Sequence, residues 1–328
     1  MNRFCLSLLL ALPLAGGSVR IFQTNSAGDN VHVIDPTTNK VVMTITGIEV
    51  PHGVGFSPDG TRAYISCEGE NTLVSVDTKT GKQIAKAPLT GHPNNVSVSK
   101  DGKYVFVAIV QAPGAVDVID TASMKNVKSI PTKGGIHNTY VTPDGKFAVA
   151  GSIAGKMITV IDAQTLQVAW ELPFDKGVRP MTFEKAADGS TSRMFIQLSD
   201  LHGFAVVDFK THKEVARITL PDEPKVGKVE AASPSHGIGV SPDGKSLWLD
   251  SSVASGVFGY SLPDLKLLGY VATGPVPDWL TFTPDSKFIY VANSSANNVS
   301  VVDIQTRKEV SKIPVGQVPK RNGTVTVP

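Results

Sequence analysis

Apolar and polar positions alternate along this chain in short runs, and each run ends in a turn signal. The stretch from Pro277 to Val315 shows the unit most clearly. Leu280 to Thr283 is mostly apolar and is closed by the turn Pro284-Asp285-Ser286. Phe288 to Ala292 is β-branched and aromatic, and the polar loop Asn293 to Asn298 follows it. Val299 to Val302 alternates, Asp303 to Lys308 turns, and Glu309 to Val315 forms a fourth run. A period of two in runs this short predicts strands, and turns this tight predict antiparallel neighbours. The unit is a four-stranded antiparallel meander of about forty residues with no helical stretch. One such sheet cannot bury both of its faces, so it requires neighbours of its own kind.

Those neighbours recur along the sequence. The turn aspartate reappears as Asp59, Asp101, Asp144, Asp188, Asp243 and Asp285, at spacings of 42, 43, 44, 55 and 42. An alternating run ending in Asp recurs at Asp35, Asp77, Asp120, Asp162, Asp208 and Asp303, with Ser261 in the equivalent place. Seven third strands but only six complete units leave the first unit one strand short. The segment from Asn322 to Val327 supplies it from the other end of the chain. A C-terminal strand added to the N-terminal sheet closes a ring and removes the edges of a linear array. The expected fold is all-β, a seven-bladed β-propeller of four-stranded antiparallel blades. It forms a single domain over residues 18–328, closed by the C-terminal strand in blade one. Turn chemistry accounts for the repeated aspartates, so none of them is a candidate for catalysis.

Tyr290-Val-Ala-Asn293 resembles the signature of the YVTN propeller repeat family, and Asn298-Val-Ser-Val-Val-Asp303 matches its next strand. The resemblance covers nearly the whole chain after residue 18. It implies the propeller fold and, by analogy with similar lactonases and quinoprotein dehydrogenase subunits, leaves an enzyme open.

The spacing that breaks the repeat lies between blades five and six. Most of its excess falls in residues 221–235, on the face where the channel opens, where a long loop can act as a lid. On that same face the innermost strands begin. Counting six residues back from the turn proline, or from its equivalent in blades one, three and five, which lack it, gives one position per blade, held by Lys320, His52, Asn94, His137, Arg179, His236 and Asp278. All seven are polar. His52, His137 and His236 come from alternate blades, which suits a tri-histidine centre for Zn, Cu, Fe or Ni. Asp278 is then a fourth ligand, a partner orienting one imidazole, or a general base. Arg179 and Lys320 suit an anionic ligand, Arg as a bidentate clamp and Lys as a point charge. His202 and Cys67 lie on the same face, and Trp279 is placed to flank a ligand there.

Composition narrows the picture. Charged residues make up 18% of 328 and the net charge is +2, which gives no basic stripe for nucleic acid. No stretch approaches the roughly 20 apolar residues of a membrane span. Residues 1–17 read as a secretory signal: Asn2 and Arg3, the apolar run Phe4 to Leu14, then Ala15-Gly16-Gly17. Export to the periplasm or medium follows, and removal of Cys5 would leave Cys67 as the lone thiol. No Gly-x-Ser-x-Gly elbow, Walker loop, His-Glu-x-x-His or Cys-x-x-Cys-His motif occurs. The leading expectation is an exported propeller binding a small anion or a metal at its channel mouth, with a periplasmic partner protein. The rivals are a metal-dependent enzyme with Asp278 as base and a protein-interaction scaffold.

Overall fold

The computed structural model describes residues 17–222 and 233–328. Among the described residues, twenty-eight strands form seven four-stranded antiparallel sheets. The expected propeller is therefore observed. Blade one has the strand order Pro319–Val327, Ser18–Asn25, Asn30–Asp35, Lys40–Thr46. Its closing pair runs antiparallel, with Ser18 opposite Val327 and Ile21 opposite Thr324. The other six blades each use four consecutive strands, as the repeat predicts. The signal segment lies outside the described residues apart from Gly17, and most of the 221–235 connection lies outside them too.

Each sheet face packs on the next blade, so the core is a ring of seven apolar layers rather than one centre. Phe22, Val31 and Val33 of blade one pack with Ile65, Val74 and Val76 of blade two. Phe22 meets Phe56 edge to face at 5.3 Å. On its other side, blade one sets Ile21 and Ile34 against Tyr290, Val299 and Val301 of blade seven. Asn322 Nδ2 donates to the Tyr290 carbonyl at 3.0 Å across that last interface.

The repeated aspartates are turn formers, as expected. Asp59 accepts from Ser57 Oγ at 2.6 Å and from the Thr61 amide at 3.0 Å. Asp77 accepts from the Thr80 amide at 2.8 Å. Every outer strand also carries a bulge, which no periodicity announced. Val42, Ile84, Val127, Val215, Leu268 and Val310 are each skipped in the pairing with the third strand. All six are exposed. A bulge twists the rim of each blade and spoils it as a template for another chain's strand.

Removal of residues 319–328 strips the inner strand from blade one and exposes the Ser18–Asn25 edge. The expected outcome is aggregation, or a Tm lowered by roughly 10 °C or more. A truncated chain melting at the full-length temperature would refute closure by this strand.

Candidate functional site

The inner strands do not start as regular strands. In blade two Pro51 faces Cys67 but Val54 faces Ile65, so the register slips between them. The same slip occurs at Pro93/Val96, Ile136/Asn138, Val178/Met181 and Pro277/Trp279. Blade one slips where Gln23 faces Asn322 and Asn25 faces Pro319. A bulge interrupts the period-two alternation, so neighbouring residues no longer point to opposite sides. At blade one both Lys320 and Arg321 consequently line the cavity at the channel mouth.

That cavity measures about 100 Å³. Six of the seven ring residues expected from the sequence line it: His52, His137, Arg179, His236, Asp278 and Lys320. The seventh, Asn94, accepts a hydrogen bond from Arg321 Nη2 at 3.3 Å. Arg321 was not foreseen, and it dominates the electrostatics. Its side chain is 1% exposed. The guanidinium lies 3.7 Å above the Trp279 ring, close enough for a cation–π contact. Its Nη1 is 3.4 Å from His236 Nδ1. That nitrogen is also 2.8 Å from the Asp278 carbonyl, an acceptor only, so Nδ1 carries the proton and donates there. The Arg321–His236 contact thus sets one N–H against another, and Arg321 Nε has no hydrogen-bond partner among the described residues. Burial lowers the pKa of Arg321, yet a guanidinium remains charged at ordinary pH.

The carboxylates around it are held at a distance or by other groups. Asp278 Oδ2 is 3.7 Å from Lys320 Nζ and its Oδ1 is 3.6 Å from His236 Nδ1. Asp250 is fully buried and accepts the His236 amide at 2.8 Å and the Gly237 amide at 2.7 Å. Burial and the charge of Asp278 push its carboxyl well above the ordinary range. Gly237 is required here, because a Cβ would lie 2.4 Å from Asp250 Oδ2 and 2.8 Å from Trp279 Cα. Arg179 donates from Nε to Ser199 Oγ at 2.9 Å.

The three histidines are neutral by environment. Burial lowers the pKa of each, and His137 and His236 fall well below the ordinary imidazole value. Repulsion from Arg321 acts in the same direction on all three. His52 Nδ1 contacts the Glu68 carboxylate, and His137 Nδ1 contacts Asn138 Oδ1. Burial pushes Glu68 upward, but its hydrogen bond to His52 and the nearby His92 and Lys320 outweigh that and lower it. His92 approaches the same carboxylate, with Nε2 at 3.6 Å. An ionised Glu68 fixes the proton on His52 Nδ1 and leaves Nε2 as a basic lone pair.

The three histidines expected as metal ligands, His52, His137 and His236, line this cavity together. Among the described residues no group of three or more His, Cys, Asp or Glu is arranged to hold a metal ion. His137 and His236 pack edge to face at 5.5 Å, and Arg321 stands against His236 with a permanent positive charge. His202, expected as a ligand-binding residue, is not among the residues lining this cavity, and its Nε2 sits 2.7 Å from Ser251 Oγ in blade six. Cys67 is buried in the layer between blades one and two and donates to the Glu49 carbonyl. Trp279 is not among the residues lining this cavity, and its ring instead supports Arg321. Glu68 and Asp250 went unread, although Glu68 directly follows Cys67 at the mouth end of its strand.

Comparison with known proteins agrees with this architecture. A family described as lactonase, 7-bladed β-propeller, matches residues 24–319. The seven-bladed β-propeller protein Rv1057 of Mycobacterium tuberculosis is 24% identical over 115 residues, spanning 31% of this chain and 29% of that protein. The structure of the Pseudomonas aeruginosa periplasmic gluconolactonase superposes with a TM-score of 0.77 at 20% identity, covering 95% of this chain and all of that one. Kuenenia stuttgartiensis hydrazine synthase gives 0.76 at 22% identity, covering 92% of this chain and 99% of that chain.

The buried neutral histidines carry a pH signature. Below about 6.5 the unfolded chain takes up protons that the folded site refuses, so stability falls as pH drops from that value. Each histidine adds up to about 1.4 kcal/mol per pH unit to this slope. Denaturant unfolding between pH 7 and 5 should show a flatter slope for His137→Gln than for the wild type. An identical slope would place His137 outside the buried set.

Proposed function

Because the chain belongs to the lactonase family of seven-bladed β-propellers, we propose that its channel mouth binds a small carboxylate-bearing molecule, a sugar acid or related hydroxy acid. One observation carries this reading. Arg321 is buried, charged and short of acceptors, with, among the described residues, one 3.3 Å hydrogen bond, an aromatic face and an unpartnered Nε. A buried charge without a close counter-ion is costly, and an anionic ligand offsets that cost. Arg179 and Lys320 add two further cations on the cavity wall. Neutral imidazoles supply donors and acceptors without competing for the anion. The cavity of about 100 Å³ suits the head of a small ligand. The N-terminal signal pattern, together with a structural neighbour named as periplasmic, supports placing the protein outside the cytoplasm.

Titration calorimetry with D-gluconate and with inorganic phosphate tests the site. Arg321→Gln should weaken binding about 100-fold, and Lys320→Ala, at the more exposed rim, no more than about tenfold. Affinity should stay level from pH 8 to 6.5 and rise only well below that, since a bound anion favours imidazoles that burial otherwise keeps neutral. Failure of both probes to bind, or equal binding by Arg321→Gln, would end the proposal.

The His52–Glu68 pair favours a second reading, hydrolysis of a lactone at the same mouth. Nε2 of His52 takes a proton from water as the water oxygen adds to the lactone carbonyl carbon. Arg321 and Lys320 stabilise the oxyanion. The ring C–O bond then breaks, the departing alkoxide takes the proton from His52, the new carboxyl group releases its own proton to solvent, and the hydroxy-acid carboxylate remains on Arg321. Asp278 serves this scheme as counter-charge to Lys320 rather than as base. With δ-gluconolactone, His52→Asn should lower kcat at least 100-fold and Glu68→Gln about tenfold, with gluconate affinity kept. Wild-type rates no faster than buffer would leave binding alone.

A further inference from the structure

The channel continues past Arg321 into a second and larger cavity of about 350 Å³. Arg321 lines this chamber too, beside Trp279, so the stacked guanidinium is the partition between the two spaces. The inner strands run from the mouth toward the opposite face. Residues later in those strands, Ser97, Tyr140 and Phe183, therefore extend the chamber away from the mouth.

Its wall combines an aromatic surface with unpaired polar atoms. Tyr140 and Phe183 meet edge to face at 6.3 Å. Among the described residues, four buried polar atoms on lining residues have no hydrogen-bond partner: Ser97 Oγ, Tyr140 OH, Arg321 Nε and Asn322 Oδ1. Arg321 is 1% and Asn322 4% exposed, so bulk water does not serve them. Buried polar atoms are nearly always paired, and four orphans on one cavity mark where a guest makes its bonds. Their chemistry is specific. Arg321 offers a charged donor and the adjacent Asn322 an acceptor. A carboxylate with a hydroxyl on the next carbon answers both. Tyr140 and Ser97 donate to remaining oxygens, and the aromatic walls take an apolar ring.

We propose that this chamber is a second ligand site, distinct from the mouth, for a small α-hydroxy carboxylate with an aromatic body. The carboxylate meets Arg321 Nε, the hydroxyl donates to Asn322 Oδ1, and the ring lies against Tyr140 and Phe183. Entry is from the face opposite the mouth. This site shares Arg321 with the mouth, whereas Ser97, Tyr140, Phe183 and Asn322 line the chamber alone.

Titration with mandelate, with benzoate as the analogue lacking the hydroxyl, tests the assignment on the full-length protein. Mandelate should bind saturably and at least tenfold more tightly than benzoate. Tyr140→Phe removes one hydroxyl and should weaken mandelate about five- to tenfold without changing the fold. Phe183→Trp, which fills the chamber, should abolish mandelate binding. Lys320→Ala should leave mandelate untouched, whereas Arg321→Gln should weaken it strongly. If Phe183→Trp fails to fold, Tyr140→Phe and the benzoate comparison still decide. Absence of saturable mandelate binding, equal affinity for benzoate, indifference to Tyr140→Phe, or loss in Lys320→Ala would each overturn the proposal.

Discussion

The antiparallel pairing of Pro319–Val327 with Ser18–Asn25 is the interaction on which the molecule depends. Seven sheets stacked in an arc leave two apolar faces and an open edge, and ring closure removes both at once. The closing strand buries Val325 and Val327 in the layer shared with blade two, while Asn322 reaches across to Tyr290 of blade seven. One strand thus ties together three blades. It is also the strand that carries Lys320 and Arg321 into the mouth and Asn322 into the chamber below. The site therefore forms only when the ring does. An unclosed chain has neither a stable sheet nor the guanidinium around which the polar groups are set.

Around that guanidinium the physical chemistry is one of desolvation. Burial disfavours every charge at the mouth, and the groups divide by whether they can give theirs up. The histidines can, and all three are held neutral. Asp250 is pushed toward its neutral form, with two backbone amides opposing that shift. Glu68 is the exception, because His52 bonds directly to its carboxylate. Arg321 has no neutral form to adopt. Its charge persists in a place with an indole face, one amide oxygen and, among the described residues, no close carboxylate. The guanidinium lies on the walls of both cavities.

Local irregularity does the positioning. Bulges at the starts of the inner strands bring consecutive residues to the axis, and bulges along the outer strands protect the rim. In blade six the inner strand is reduced to Ile238–Val240, and the Asp250 carboxylate takes the place of ladder partners for His236 and Gly237. His236 is thereby fixed by its own backbone before any side-chain contact is made.

The sequence by itself determined the strands, the blade count, the closing segment and the turn role of the aspartates. Each of these follows from a short period repeated at nearly constant spacing, and a repeat is written locally. The same spacing named the ring His52, Asn94, His137, Arg179, His236, Asp278 and Lys320, six of which line the mouth. Tertiary structure alone decided what those residues form together. Counting along strands assumes alternation, and the bulge that admits Arg321 breaks it. Nor does spacing reveal the partner of each side chain, and the Nδ1 atoms of the three histidines meet Glu68, Asn138 and the Asp278 carbonyl. His202 looked available from its loop but is engaged with Ser251. Charge balance in a closed space depends on distances between blades, and those distances exist only once the last strand has joined the first.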